Sequence, residues 1–134
     1  MAQHQSHPRD ASLDAPLLIA AGYGRTSECA RLLDAGADIE TRNPTAGGTP
    51  IILAAQQGHL ATVRLLHQRG ADVLATKSSG GMAIHMAAQC NRAETVQYLV
   101  KEAGVGVDTV SGGTALQHVT IVAIHTHYSL VVEG

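Results

Sequence analysis

Eight histidines and two cysteines are the side chains in this 134-residue sequence that could bind a metal or act as nucleophiles. His118, His125 and His127 cluster near the C-terminus, where a strand would place His125 and His127 on one face. Imidazole is a common ligand of transition ions. Because no cysteine or carboxylate joins these histidines at a standard ligand spacing, we expect solvated or half-buried side chains here. A small metal-binding protein is the alternative hypothesis.

The sequence carries no recognisable catalytic motif. It lacks H-E-x-x-H, G-x-S-x-G and a phosphate-binding loop, and Gly22-Tyr23-Gly24 is too short for a dinucleotide fingerprint. Cys29 lies in an apolar stripe, which is typical of a thiol buried as a small hydrophobic group. Cys90 occupies a more accessible position, but the neighbouring sequence does not define a nucleophile there. We therefore expect no enzyme activity, no cofactor and no bound metal.

The composition indicates a globular helical protein inside the cell. Apolar residues make up 45% of the chain, yet Trp and Phe are absent, so a core of Leu, Ile, Val and Ala is expected. A formal charge of −2 offers no basic field for nucleic acid. Two cysteines form no disulfide framework, and neither a signal peptide nor a membrane span is visible. We expect a cytoplasmic monomer, with the nucleus left open, no membrane partner, and residues 1–11 as a flexible leader.

An internal sequence repeat extends over most of the chain. The fold of this repeat must position any functional side chain. A shift of 34 residues superimposes Pro16 on Pro50, Ala20-Ala21 on Ala54-Ala55, Gly24 on Gly58, Leu32 on Leu66, and Gly36-Ala37-Asp38 on Gly70-Ala71-Asp72. A further shift of 33 superimposes Ile51 on Ile84, Ala54-Ala55-Gln56 on Ala87-Ala88-Gln89, Val63 on Val96, and Leu66 on Leu99. The sequence therefore predicts three related units.

The second unit predicts a pair of helices. Thr49 before Pro50 is typical of a helix start, with a hydroxyl that can cap the first N–H groups and a proline already in helical φ. Gly58 and Gly70 are typical of helix ends, since glycine adopts the left-handed conformation without a steric penalty. Between the units, segments rich in Gly, Ser, Asn and Pro predict protruding turns.

The motif T-P-I-I-x-A-A-x-x-G-H followed by V-R-L-L-H-Q-R-G-A-D-V resembles the ankyrin repeat, a β-turn and two antiparallel helices in about 33 residues. The resemblance covers roughly residues 12–110. It implies an all-α solenoid of three helix-turn-helix repeats, 12–43, 44–77 and 78–110, in which the turns at 37–48 and 71–81 project as the first and second β-turn fingers. It also implies that His59 and His85 form structural hydrogen bonds within and between repeats.

The units depart from the family's pattern at their helix starts. Ala15 stands where the family has Thr, and Met82-Ala83 stands where it has Thr-Pro, so both helices are expected to lack a cap. Each loss would cost about 0.5–2 kcal/mol. Asn91 replaces the glycine that ends the first helix of the third unit, and Asn is the next best residue for that backbone conformation.

The repeat pattern is lost near the C-terminus. Gly112 to Leu116 resembles the start of a fourth unit, but residues 111–134 lack the Ala-Ala, the Gly-His and the second helix. We expect a degenerate fourth repeat that acts as a capping helix; the β-branched run from Val119 to Ile124 leaves a strand or a poorly ordered tail open. A truncated or frame-shifted terminus would give the same loss of pattern.

The resemblance further implies a non-catalytic module that binds a protein partner through a concave groove and the fingers. In the family's pattern the two residues after each Ala-Ala face the groove, which predicts Tyr23 as the anchor, with Gln56, Gln57, Gln89 and Cys90 around it. The finger residues expected to extend this site are Arg42, Asn43, Thr76, Lys77 and Ser78, of which Arg42 and Lys77 favour a partner with carboxylates. An alternative is that the chain is part of a longer ankyrin array or scaffold.

Overall fold

The structure is a computed structural model that describes residues 9–104. The expected C-terminal cap and the cluster of His118, His125 and His127 lie outside the described residues, as does most of the expected leader. Six α-helices follow a short 3₁₀ turn, Ala11–Leu13: α1 (Asp14–Gly22), α2 (Thr26–Asp34), α3 (Pro50–Gln56), α4 (Leu60–Gln68), α5 (Ala83–Gln89) and α6 (Ala93–Lys101).

The helices form antiparallel pairs that stack in chain order. Each odd-numbered helix packs on the even-numbered helix that follows it, and α1, α3 and α5 form an inner row beside an outer row of α2, α4 and α6. The only β-structure in residues 9–104 is a bridge between Thr76 and Met82. This confirms the predicted all-α class. None of the helices in that range is long and apolar enough to cross a membrane.

The paired alanines lie where the inner helices meet. All six, Ala20-Ala21, Ala54-Ala55 and Ala87-Ala88, are buried. A methyl side chain lets two helix axes approach closely, and the larger Leu17, Ile51 and Ile84 of the same helices fill the space beside them. The core is therefore continuous from one helix pair to the next, without any Phe or Trp.

The predicted helix ends are confirmed. Gly24 and Gly58 follow α1 and α3 with φ of 73° and 75°, and Asn91 follows α5 with φ of 62°. Asn91 is the one residue other than glycine with positive φ in the described part of the chain. A short polar side chain tolerates this conformation better than most, so the same turn persists where the glycine is missing.

The predicted cap at Thr49 is wrong. Helix α3 does begin with Pro50 after Thr49, but the Thr49 hydroxyl makes no cap hydrogen bond. Its Oγ1 atom is buried and has no hydrogen-bond partner in the described region. The third helical position of α3 is Ile52, an aliphatic side chain that has no polar group to pair with the hydroxyl.

Helix α5 shows the reverse arrangement. Met82 has no hydroxyl, but the His85 side chain, at the third helical position, accepts a hydrogen bond through Nδ1 from the Met82 backbone N–H at 2.9 Å. The expected loss of capping at Met82 is thus partly offset. This contact confirms the structural hydrogen bond expected of His85.

The start of α1 also differs from the expectation at Ala15. The helix begins at Asp14, and the preceding 3₁₀ turn is capped by Asp10, whose carboxylate accepts from the Ser12 N–H at 3.0 Å and the Ser12 hydroxyl at 2.6 Å. These hydrogen bonds lower the pKa of Asp10. The Asp10 cap, about one turn before the helix, therefore takes the place of the threonine that the family has at the position of Ala15.

Because the buried Thr49 hydroxyl has no hydrogen-bond partner among the described residues, we expect its removal to stabilise the protein. Thr49→Val keeps the shape and removes a buried, unpaired polar group, so we expect the free energy of unfolding to rise by about 1 kcal/mol. The matched control is Thr62→Val, because the Thr62 hydroxyl is equally buried but pairs with the Thr26 hydroxyl at 2.8 Å. That variant should lose about 1 kcal/mol. Urea unfolding measures both, and equal losses in the two variants would contradict the assignment.

His85 predicts a loss of stability in acid. Burial lowers the pKa of His85 below its usual value, so below about pH 6.5 the unfolded chain binds a proton at this residue more readily than the folded chain. The contribution of His85 is therefore present at neutral pH and is lost as the pH falls. His85→Asn retains an acceptor near Nδ1 but does not titrate. Urea unfolding at pH 7.5 and pH 5.0 should show a smaller acid-induced loss in the variant than in the parent, and equal losses would count against this role.

Candidate partner-binding groove

A groove of about 540 Å³ lies between the inner helices α1 and α3. It brings together three of the predicted site residues, Tyr23 from the end of α1, Asn43 from the first finger and Gln57 from the end of α3. The Tyr23 side chain is 69% exposed. The remaining lining residues are Leu18, Ile19, Gly22, Leu53 and His59.

The floor of the groove contains aliphatic residues that the sequence analysis did not select. Ile19 and Leu53 each lie four residues before Tyr23 and Gln57, so each shares a helix face with one of them. Ile19 is 55% exposed, whereas Met86, the corresponding residue of α5, is only 6% exposed. The signal was present in the sequence as an aliphatic residue directly before each Ala-Ala. The groove is therefore apolar at its base and polar at its rim.

The first finger is held by its own polar side chains. The Asn43 Oδ1 atom accepts hydrogen bonds from the backbone N–H groups of Thr45 at 2.7 Å and Ala46 at 3.2 Å. Its backbone N–H donates to the Gly48 carbonyl at 2.8 Å. Asn43 is thus fixed in orientation by the turn, and only part of its surface faces the groove.

Arg42 connects the two fingers. One guanidinium nitrogen, Nη1, donates to the Gly47 carbonyl at 2.9 Å and to the Thr76 carbonyl at 2.6 Å. The Ser78 backbone N–H donates to the Ala46 carbonyl at 2.9 Å and adds a second link. The Arg42 side chain therefore holds the two fingers together. Its positive charge is not neutralised by these hydrogen bonds, because both acceptors are uncharged carbonyls.

The other predicted residues lie outside this groove. Thr76, Lys77 and Ser78 lie in the second finger, where the Lys77 N–H donates to the Gly81 carbonyl at 2.9 Å. Gln89 is exposed and Cys90 half-buried at the end of α5. Gln56 is half-buried, and its carbonyl accepts a hydrogen bond from Arg92. The predicted site residues therefore do not form one cluster: three line the groove, and others lie in the second finger and at the end of α5.

One repeat position links α1 and α3 to the repeat that follows each of them. The His59 Nε2 atom lies 3.1 Å from the Gly22 carbonyl, and the Arg92 Nε atom donates to the Gln56 carbonyl at 3.2 Å. The first contact confirms the structural role expected of His59. Arg25 holds the corresponding position in the first repeat, and its guanidinium lies 5.2 Å from the centre of the Tyr23 ring.

A second arginine–tyrosine pair lies on the outer row. The Arg64 guanidinium is 5.3 Å from the centre of the Tyr98 ring, and the Tyr98 hydroxyl hydrogen-bonds to His67 Nδ1 at 2.7 Å. Tyr98 is largely buried, and this burial raises its pKa. The guanidinium-to-ring distances of the two pairs are nearly equal, but Tyr23 is 69% exposed and Tyr98 only 8%.

Potential metal ligands are not grouped within residues 9–104, and the Cys29 thiol is protected by burial. These residues contain no group of three His, Cys, Asp or Glu side chains that could hold an ion. Cys29 is fully buried, and this burial, together with the nearby Glu28 charge, raises the pKa of its thiol to about 11. Cys29 is therefore a neutral core side chain at physiological pH.

Comparison with known proteins agrees with this architecture. Residues 17–61 and 51–100 match the sequence family described as ankyrin repeats (many copies). The two matches together span more than half of the chain. The chain therefore belongs to the ankyrin repeat family, whose repeats generally mediate interactions between proteins and are typically non-catalytic.

Several curated proteins share this segment. The chain is 34% identical to mouse ankyrin repeat domain-containing protein 63 in an alignment of 111 residues, and the match covers 76% of the chain and 28% of that protein. It is also 34% identical over 96 residues to the human transient receptor potential cation channel subfamily A member 1, covering 70% of the chain and 8% of the channel. A match of 34% over 90 residues to palmitoyltransferase AKR1 of Yarrowia lipolytica covers 66% of the chain and 12% of that protein. The chain thus spans less than a third of each of these relatives.

The contrast between the two cysteines can be measured with a thiol reagent. We expect Cys90, which is half-buried, to react readily with Ellman's reagent at pH 7.5 in the folded protein. Cys29 should react only when the protein unfolds, since the reagent needs an accessible thiolate. Cys90→Ser should therefore abolish the fast phase, and Cys29→Ser should leave it intact. A fast phase in the Cys90→Ser variant would contradict the burial of Cys29.

Proposed function

We propose that this chain is a non-catalytic interaction module that binds a partner protein in the groove between α1 and α3. The observation that carries the proposal is the exposure of the Tyr23 ring, 69%, beside an apolar floor formed by Ile19 and Leu53. Tyrosine combines a large rigid surface with a polar tip, and it is enriched among residues that dominate binding energies. Gln57 and Asn43 supply hydrogen-bonding groups at the rim.

The fingers support the same proposal by keeping the groove in shape. Arg42 ties the first finger to the second, and Asn43 is oriented by its own turn. A surface that is ordered before binding loses less conformational entropy when a partner binds. Thr76, Lys77, Ser78, Gln89 and Cys90 would extend the contact for a partner larger than a single peptide segment.

The charges are consistent with a protein partner and not with nucleic acid. Residues 9–104 carry nine basic and nine acidic side chains, so there is no excess of cations to neutralise a row of phosphates. We further propose that the module acts as a monomer in the cytoplasm or nucleus, with the partner occupying the groove.

Affinity capture tests this function. The purified chain and a Tyr23→Ala, Gln57→Ala double variant are used to capture proteins from a native lysate, followed by quantitative mass spectrometry. We expect the proteins enriched by the parent to fall about tenfold or more in the double variant, because removal of a central aromatic anchor typically costs about 2 kcal/mol or more.

The control for this experiment is a double variant on the outer row, Arg64→Ala with Gln68→Ala, since both side chains are exposed on α4. This control should retain capture, and all three proteins should give the same far-UV circular dichroism spectrum. Capture that survives in the Tyr23→Ala, Gln57→Ala variant would remove the groove from the function.

A further inference from the structure

We propose that the groove between α1 and α3 selects an acidic protein segment, in which an apolar side chain packs on Ile19 and Leu53 and an adjacent carboxylate pairs with Arg25. This inference rests on the proposed function and specifies the chemistry of its partner. It depends on three features of the described residues: an exposed apolar floor, a cation that has no ion-pair partner there, and the absence of carboxylates from the groove lining.

The floor provides the apolar subsite. Leu18 and Ile19 from α1 and Leu53 from α3 line the groove with the Tyr23 ring beside them. The 55% exposure of Ile19 leaves aliphatic surface that an incoming side chain can cover. Burial of such surface is favourable in proportion to the apolar area removed from water. A Leu, Met or aromatic side chain of the partner fits this requirement.

Arg25 provides the charged subsite; it is not itself a lining residue of the groove, but it lies against the lining residue Tyr23. Its side chain is exposed, and its guanidinium lies over the Tyr23 ring at 5.2 Å from the centre. The corresponding residues His59 and Arg92 hydrogen-bond to carbonyls of the preceding repeat, whereas the Arg25 guanidinium makes no hydrogen bond or ion pair within residues 9–104. A guanidinium held on an aromatic face is restricted in position and can still donate to a carboxylate with two N–H groups.

Glu28, on α2, accepts hydrogen bonds from Arg31, and this contact is the main cause of its lowered pKa. Glu28 is also close enough for the Arg25 charge to contribute to lowering its pKa, but the two side chains form no ion pair in the described part of the chain. No carboxylate occurs among the described residues that line the groove. Arg42 precedes the lining residue Asn43 in the sequence and is a second cation on this side of the molecule, although its charge also attracts the Glu40 carboxylate. A partner segment with carboxylates therefore complements the local field, and one with lysines opposes it.

Phage display of random linear peptides on the immobilised 134-residue chain tests the inference. We expect selected peptides to carry Asp or Glu within one or two residues of a large apolar side chain. A fluorescein-labelled copy of one selected peptide is then titrated against the protein, with fluorescence polarisation as the readout. Arg25→Glu should weaken binding about tenfold, the loss typical of one charge-assisted hydrogen bond. Replacing the peptide's acidic residue by Lys should recover affinity for the Arg25→Glu variant.

The matched control is Arg64→Glu, because the Arg64 guanidinium lies over the Tyr98 ring on the outer row at nearly the same distance, 5.3 Å from its centre. It makes the same charge change and should not alter binding. Selected peptides that bind the parent protein but not the Tyr23→Ala, Gln57→Ala variant are placed in the groove by that result. If such peptides show no preference for acidic residues, or bind the Arg25→Glu variant as tightly as the parent, this inference is overturned and the proposed function stands. Peptides unaffected by the Tyr23→Ala, Gln57→Ala change, or no selected peptide at all, would overturn both.

Discussion

Close contact between neighbouring inner helices is the constraint on which the rest of this structure depends. Ala54 and Ala55 are both fully buried, and the equivalent pairs in α1 and α5 are buried as well. Each helix pair covers apolar surface that the next pair would otherwise expose to water, so the stability of the stack resides mainly at these boundaries. The groove follows from the same packing, because the ends of α1 and α3 are brought side by side at a fixed spacing.

Polar contacts between repeats then set the shape of the outer surface. The repeat position occupied by His59 and Arg92 reaches back to the carbonyl at the end of the preceding inner helix. Arg42 makes the equivalent kind of link between fingers. These side chains donate hydrogen bonds to backbone carbonyls that have no acceptor role within the helix or turn itself. Arg25, in the first repeat, has no such carbonyl within residues 9–104, and it stacks on Tyr23 instead.

The capping motif at the helix start has two parts, a hydroxyl residue before the helix and a polar residue at the third helical position. In this protein the second and third repeats each keep only one of the two parts, and the fold is retained. The second repeat keeps Thr49 but has Ile52 at the third helical position, and the third repeat keeps His85 but has Met82 before the helix. His85 therefore retains one hydrogen bond, and the Thr49 hydroxyl has none within residues 9–104. A single buried hydroxyl costs only a few kcal/mol at most. The burial of Ile51 and Ile52 in the hydrophobic core is enough to keep α3 in place.

The sequence by itself determined the helix pairs and their ends, since Gly58, Asn91 and the buried alanines act through local backbone conformation and side-chain size. It also indicated Tyr23 and Gln57 as groove residues through their place in the repeat. It did not reveal that Arg42 donates to two carbonyls, that the Thr49 hydroxyl is unpaired within residues 9–104, or that Arg25 stacks on the Tyr23 ring. Those outcomes were decided by the tertiary structure, because a hydrogen bond or ring contact depends on which atoms of a neighbouring repeat come within a few ångströms.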